Sequence, residues 1–164
     1  MARTSQPGTW VLLSYRLPRE PSTPRITIWR KLKRLGVAQI SDGLVALPAD
    51  ARTREHLDWI ADEIIDTGGT AAIWLAQPGT ATTERDLATA MATTRAAEYT
   101  KITAEATTAA QDTEVTRLSL ARRLRAELRR IHRRDYFPPP ERDQATAAVD
   151  ALANPVPDPK EQSS

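Results

Sequence analysis

The chain has 164 residues, 23 Lys and Arg against 21 Asp and Glu, a formal charge of +2, 40% hydrophobic residues and no cysteine. That length suits one ordinary domain, or a small domain with a helical appendage, and the composition is that of a folded globular chain. Disulfides, thiolate metal sites and thiol redox chemistry are excluded, and no run approaches the ~18 apolar residues of a membrane helix.

The opening residues MARTSQPG lack the apolar stretch of a signal peptide, so a cytoplasmic protein with no membrane partner is expected. All four tryptophans, Trp10, Trp29, Trp59 and Trp74, lie in the first half. They point to a core concentrated before about residue 77. Residues 1–9 read as a disordered lead.

WVLLSYRL, from residue 10, is a short apolar run with aromatic and branched residues, closed by Pro18, and reads as a buried strand. Pro18, Pro21 and Pro24 then exclude regular structure until Ser22 or Thr23 caps a helix, with Pro24 in its first turn. That helix runs to about Leu35, and Gly36 suits its C-terminal left-handed position. At 100° per residue Ile28, Trp29, Leu32 and Leu35 share one face, while Arg30, Lys31, Lys33 and Arg34 share the other.

VAQI and LVAL flank Asp42-Gly43, a strong tight-hairpin signal, and Pro48 ends the second strand. The next helix carries an apolar stripe of Leu57, Ile60, Ala61 and Ile64 and stops at Gly68-Gly69. TAAIWLA, from residue 70, is a last strand. The order strand, helix, strand, strand, helix, strand is the split βαβ pattern of a ferredoxin-like domain.

Beyond residue 80 the chain becomes rich in Ala, Thr and Arg. A long helix is expected from about Thr83 to Ala110, its weak stripe made of Leu87, Met91, Thr94, Glu98 and Ile102. A second, from about Glu114 to Arg134, has a heptad-like seam of Ala121, Leu124, Leu128 and Ile131. Tyr99, Tyr136 and Phe137 read as packing anchors. The fold class is α+β: a ferredoxin-like βαββαβ domain over 10–80, an α-helical hairpin over 81–137, then a short helix and disordered tail over 138–164.

Two segments carry excess positive charge. No acid occurs between Glu20 and Asp42, a span that contains Arg25, Arg30, Lys31, Lys33 and Arg34. The segment from Arg117 to Asp135 holds eight arginines, among them Arg122, Arg123, Arg129, Arg130, Arg133 and Arg134, around a single internal Glu127. Phosphate contact with a nucleic acid is one reading of both. The other is a solvated outer face for the first, and for the second a helix whose arginines pair with the acids of 55–66 or 98–114.

Catalysis has little support. His56 and His132 lie in different helices with no metal-binding spacing. Asp58, Asp62, Glu63 and Asp66 read as a solvated face, and no Gly-rich phosphate loop or Ser-His-Asp signature is present. No catalytic residue, metal site or cofactor is expected.

LLSYRLPREPSTPRITIWRKLKRLGV, DGLVALP, TREHLDWIADEI and GGTAAIW together resemble the N-terminal domain of the ChrB chromate-resistance regulators. AEYTKI and IHRRDYF match the family's long Glu-Tyr helix and its Arg-rich helix ending in Arg-Asp and two aromatics. The resemblance covers about residues 10–137. It implies a chromate-responsive regulator that binds promoter DNA, and the second domain often carried by members of the family is expected to be missing here. A homodimer is expected because a single small face rarely gives enough affinity and symmetric sites suit two-fold proteins. Chromate itself is then the expected effector. As a tetrahedral dianion it would suit Arg16, Arg19 and Arg25 around the proline loop. A protein-interaction module of the same stress system is the alternative.

A metal-dependent nuclease is the more remote one. Small CRISPR-associated nuclease-like proteins of similar pattern place an acid at the end of the first strand, where this chain reads Ser14-Tyr15-Arg16.

Overall fold

The computed structural model describes residues 8–155. The lead expected over 1–9 and the tail expected toward residue 164 therefore lie almost wholly outside the described residues. The chain divides into two compact units, one ending at Met91 and one beginning at Ala92.

The first unit runs β1 (Trp10–Arg16), α1 (Thr23–Leu35), β2 (Ala38–Ser41), β3 (Leu44–Pro48), α2 (Ala51–Asp66), β4 (Thr70–Ala76) and the start of α3 (Ala81–Thr108). Its strands make one four-stranded sheet in the order β2-β3-β1-β4, every neighbour antiparallel. The fold class is α+β.

Alternation along the strands decides which face is buried. Val11 pairs with Leu47 and Leu13 with Val45, and all four are fully buried on one face. Buried with them are Ile28 and Leu32 of α1 and Leu57, Ile60, Ala61 and Ile64 of α2. Each of the Val, Leu and Ile side chains contributes roughly 1.5–3 kcal/mol by leaving water. The tryptophans play a smaller part than their number suggests. Trp10 is buried, but Trp59 and Trp74 are 61% and 56% exposed. Trp74 lies on the sheet's other face, where its Nε1 donates to Ser14 Oγ at 2.9 Å.

Local chemistry sets the boundaries. α2 starts at a capping box: Thr53 N–H donates to Asp50 Oδ1 at 2.7 Å, and Asp50 N–H donates to Thr53 Oγ1 at 2.9 Å. That donation from Thr53 holds the Asp50 carboxyl below its ordinary value. α1 begins differently. Ser22 occupies the cap position, yet its hydroxyl caps nothing, and Pro24 stands in the first turn. Gly36 ends α1 with a left-handed φ of 77°.

Ser41 pairs with Leu44 across Asp42-Gly43, and a register shift lies between Gln39 and Ser41. Gly43 has φ 73°, and a Cβ there would collide with the Tyr15 carbonyl oxygen. Only glycine fits this crossing.

The second unit holds the rest of α3, a 3₁₀ turn at Ala109–Gln111, α4 (Glu114–Arg133) and α5 (Glu141–Ala153). Ala121, Leu124, Leu128 and Ile131 are the buried seam of α4, as its spacing predicts. The stripe of α3 differs from expectation. Met91, Arg95, Tyr99, Ile102, Ala106 and Ala109 are buried, while Thr94 is exposed and Glu98 partly so. Small alanines let the helix pack closely, and an aromatic takes the place where a weak polar residue was expected. α5 supplies Ala145, Val149 and Leu152 to the same core.

Candidate anion cleft and basic helix faces

Where β1 ends, the proline loop, the first half of α1 and the β2–β3 turn enclose an open cleft of about 910 Å³. Tyr15, Arg16 and Leu17 enter from β1 and its exit, and Arg19 from the proline loop. Ser22, Arg25, Ile26 and Trp29 enter from α1, and Gln39, Asp42 and Gly43 from the hairpin. The Tyr15 N–H donates to the Gly43 carbonyl at 2.8 Å and ties the strand to the turn.

The structure thus brings Arg16, Arg19 and Arg25 to one cavity, with Asp42 as its one carboxylate. None of the three arginines takes part in the ion pairs found among the described residues. Such a lining has a net positive charge and donors in excess. Burial, and secondarily Asp42, raise the Tyr15 hydroxyl above its usual value, so it stays a neutral donor. Sequence reasoning reached the arginines but missed Tyr15, Trp29, Gln39 and Asp42. Tyr15 adjoins Arg16 on β1 and Trp29 stands one helical turn from Arg25 on α1, whereas Gln39 and Asp42 enter only because the hairpin crosses over β1.

The basic helices sort their cations into engaged and unengaged sets. On α1, Lys31 Nζ reaches both Glu63 carboxylate oxygens, at 2.7 and 2.6 Å. Lys33 Nζ stands 5.6 Å from the Trp29 ring centroid, a cation–π distance. Arg30 and Arg34 are exposed and form no ion pair among the described residues.

On α4, Arg123 pairs with Glu105 at 2.6 Å and lies 3.8 Å from Glu127. Arg134 pairs with Glu98 at 3.0 Å. Arg133 Nε donates to the Arg129 carbonyl at 3.4 Å. Arg122, Arg129 and Arg130 are exposed and without an ion pair among the described residues. Positions 122, 129, 130 and 133 fall on one helical stripe, away from the buried seam.

The second unit also holds a buried polar network. Tyr99 Oη donates to Asp135 Oδ2 at 2.7 Å, and Arg142 Nη1 lies 3.7 Å from the same oxygen. The Asp135 side chain is wholly buried. Arg95 pairs with Glu98 at 3.2 Å, and burial lowers its guanidinium below the ordinary value while Glu98 opposes the shift. Burial, then the Asp135 bond, push the Tyr99 hydroxyl well above its usual value. His132 tilts against Tyr99 with ring centroids 5.9 Å apart, and burial lowers its imidazole, aided by Arg142. The Glu-Tyr and Arg-Asp pairs of the sequence are thus two halves of one network.

No group of three or more His, Asp or Glu side chains converges on a metal-sized site among the described residues. No helix among them is long and apolar enough to cross a membrane.

The family model described as "Protein ChrB, N-terminal" matches residues 25–162. A protein of Cupriavidus metallidurans, "Protein ChrB", is 28% identical over 166 residues, covering 94% of this chain and 51% of that protein. The chain spans about half the length of the curated relative it matches. No solved structure matches.

Proposed function

The chain belongs to the ChrB N-terminal family, and from that premise we propose that it is a DNA-binding transcriptional regulator linked to chromate resistance. The observation that carries this reading is the set of arginines left over after internal pairing. Arg122, Arg129 and Arg130 project from one side of α4, and Arg30 and Arg34 from α1, with no acid engaging them among the described residues. A helix face needs charge to be soluble, but a mixed-sign face serves that purpose equally well. A single-sign arginine stripe matches a polyphosphate backbone.

In this reading Arg30, Arg34, Arg122, Arg129 and Arg130 are the principal phosphate contacts. Arg25, Lys33 and Arg133 assist, and Lys31, Arg123 and Arg134 act mainly within the fold. The βαββαβ order and the β2-β3-β1-β4 sheet support a ferredoxin-like arrangement of the first unit. A homodimer fits two-fold symmetric operators. Chromate would act as effector at Arg16, Arg19 and Arg25, the cleft offering guanidiniums for its oxygens.

An electrophoretic shift with the DNA upstream of the chain's own gene tests the reading. Retardation at low salt that fades as salt rises supports it; no retardation at 50 mM salt sinks it. The rival, a protein-interaction module, draws support from the engaged cations Lys31, Arg123 and Arg134. It predicts no DNA complex under any salt condition.

A further inference from the structure

The cleft is much larger than the ion that its arginines invite. A tetrahedral oxyanion has the bulk of two or three waters, at ~30 Å³ each, whereas the cleft is about 910 Å³. That volume falls among sites for small organic ligands, roughly 300–1,000 Å³. Its lining is also mixed in a way that a bare ion does not need. Arg16, Arg19 and Arg25 supply positive charge, Trp29 contributes an aromatic ring that also has Lys33 Nζ 5.6 Å from its centroid, and Asp42 and Gln39 offer hydrogen-bond acceptors.

From these three chemistries in one cavity we infer that the cleft binds a nucleoside phosphate. The guanidiniums take the phosphates, because planar forks match phosphate oxygens in pairs. The indole ring of Trp29 packs against the base. Asp42 accepts from the ribose hydroxyls, since an ionised carboxylate offers acceptors only. An inorganic anion leaves the Asp42 carboxylate without a role, because that group offers hydrogen-bond acceptors only. The carboxylate belongs where one ligand carries both an anionic end and a hydroxyl-bearing end. The start of α1 lines the same cavity through Ser22 and has no acidic residue in its first turn, so its N–H groups add to the positive field rather than cancel it.

This inference rests on reading the cleft as an anion site, and it is independent of the DNA assignment. Isothermal titration calorimetry on the full chain, with ADP, GDP, CDP, UDP, inorganic phosphate and chromate as separate titrants, tests it. At least one nucleoside diphosphate is expected to bind in the micromolar range, tenfold or more tighter than phosphate or chromate. Arg19→Ala with Arg25→Ala should weaken that binding at least tenfold, and Asp42→Asn at least threefold, with unchanged circular dichroism. All three residues are exposed, so the variants should fold. Arg54→Ala, on α2 and outside the cleft lining, should leave it unaltered. The inference is overturned if no nucleotide binds more tightly than inorganic phosphate, or if the cleft variants bind the nucleotide as the parent does. Tight binding of chromate alone also overturns it, while leaving the oxyanion-effector reading in place. A lost electrophoretic shift with intact nucleotide binding would remove the DNA reading and leave this one standing.

Discussion

Replacing Tyr99 by Phe removes one oxygen and, with it, the hydrogen bond to Asp135. The ring stays, so almost no cavity opens and the loss is that of the bond itself. Asp135 is wholly buried, and its other oxygen, Oδ1, has no hydrogen-bond partner among the described residues. The remaining neighbour, Arg142 Nη1, is 3.7 Å from Oδ2, too long for a hydrogen bond. A hydrogen bond to a charged group is worth about 1.5–3 kcal/mol. The second unit should therefore lose about 2 kcal/mol.

The four tryptophans all lie in the first unit, so indole fluorescence would miss the event. Urea unfolding followed by circular dichroism at 222 nm reads the helices, most of whose residues lie in α3, α4 and α5. With a slope near 1–2 kcal/mol/M for so small a unit, the helical midpoint should fall by about 1–2 M. A double-mutant cycle with Asp135→Asn should return a coupling of about 1 kcal/mol or more. A loss below about 0.5 kcal/mol, or no coupling, would refute the claim that this bond holds the end of α4 to α3.

Three further outcomes are expected. Gly43→Ala puts a Cβ against the Tyr15 carbonyl oxygen at a positive φ; a loss of about 1–3 kcal/mol should appear in the tryptophan signal. Burial lowers the His132 imidazole in the folded chain, so the unfolded chain binds the proton more readily below about pH 6.5. Stability should then fall as pH drops through that value, and His132→Gln should flatten this part of the pH profile. Lys31→Ala should weaken DNA binding less than Arg34→Ala, because Lys31 is held by Glu63, and its stability cost should stay within about 1 kcal/mol.

Much of this architecture is legible in the residues. Prolines at 18, 21 and 24 separate β1 from α1, Asp42-Gly43 marks the hairpin, and the seams of α2 and α4 fall on the expected positions. These signals are local, set by backbone sterics and helical period. What escaped them is non-local. The face of α3 is decided by partners far along the chain, which is why Arg95 is buried where Thr94 was expected, and why Tyr99, already read as a packing anchor, faces the core in place of Glu98. The division of cations into engaged and unengaged is likewise invisible to a charge count, since Lys31 and Arg34 differ only in whether an acid on another element reaches them. The cleft is the third case. Its arginines stand out in the sequence and Trp29 lies one helical turn from Arg25, but Gln39 and Asp42 join them only through the fold.

Phosphate contact by the arginine stripes carries a salt signature. Fluorescence anisotropy with a labelled duplex of the upstream DNA, across 50–300 mM salt, reads it. Each phosphate contact contributes about −0.9 to the slope of log affinity against log salt. The Arg122→Ala, Arg129→Ala, Arg130→Ala triple variant should make that slope shallower by about 2–3 and weaken binding at every salt concentration. Binding whose slope and affinity are the same in the parent and the triple variant would contradict it.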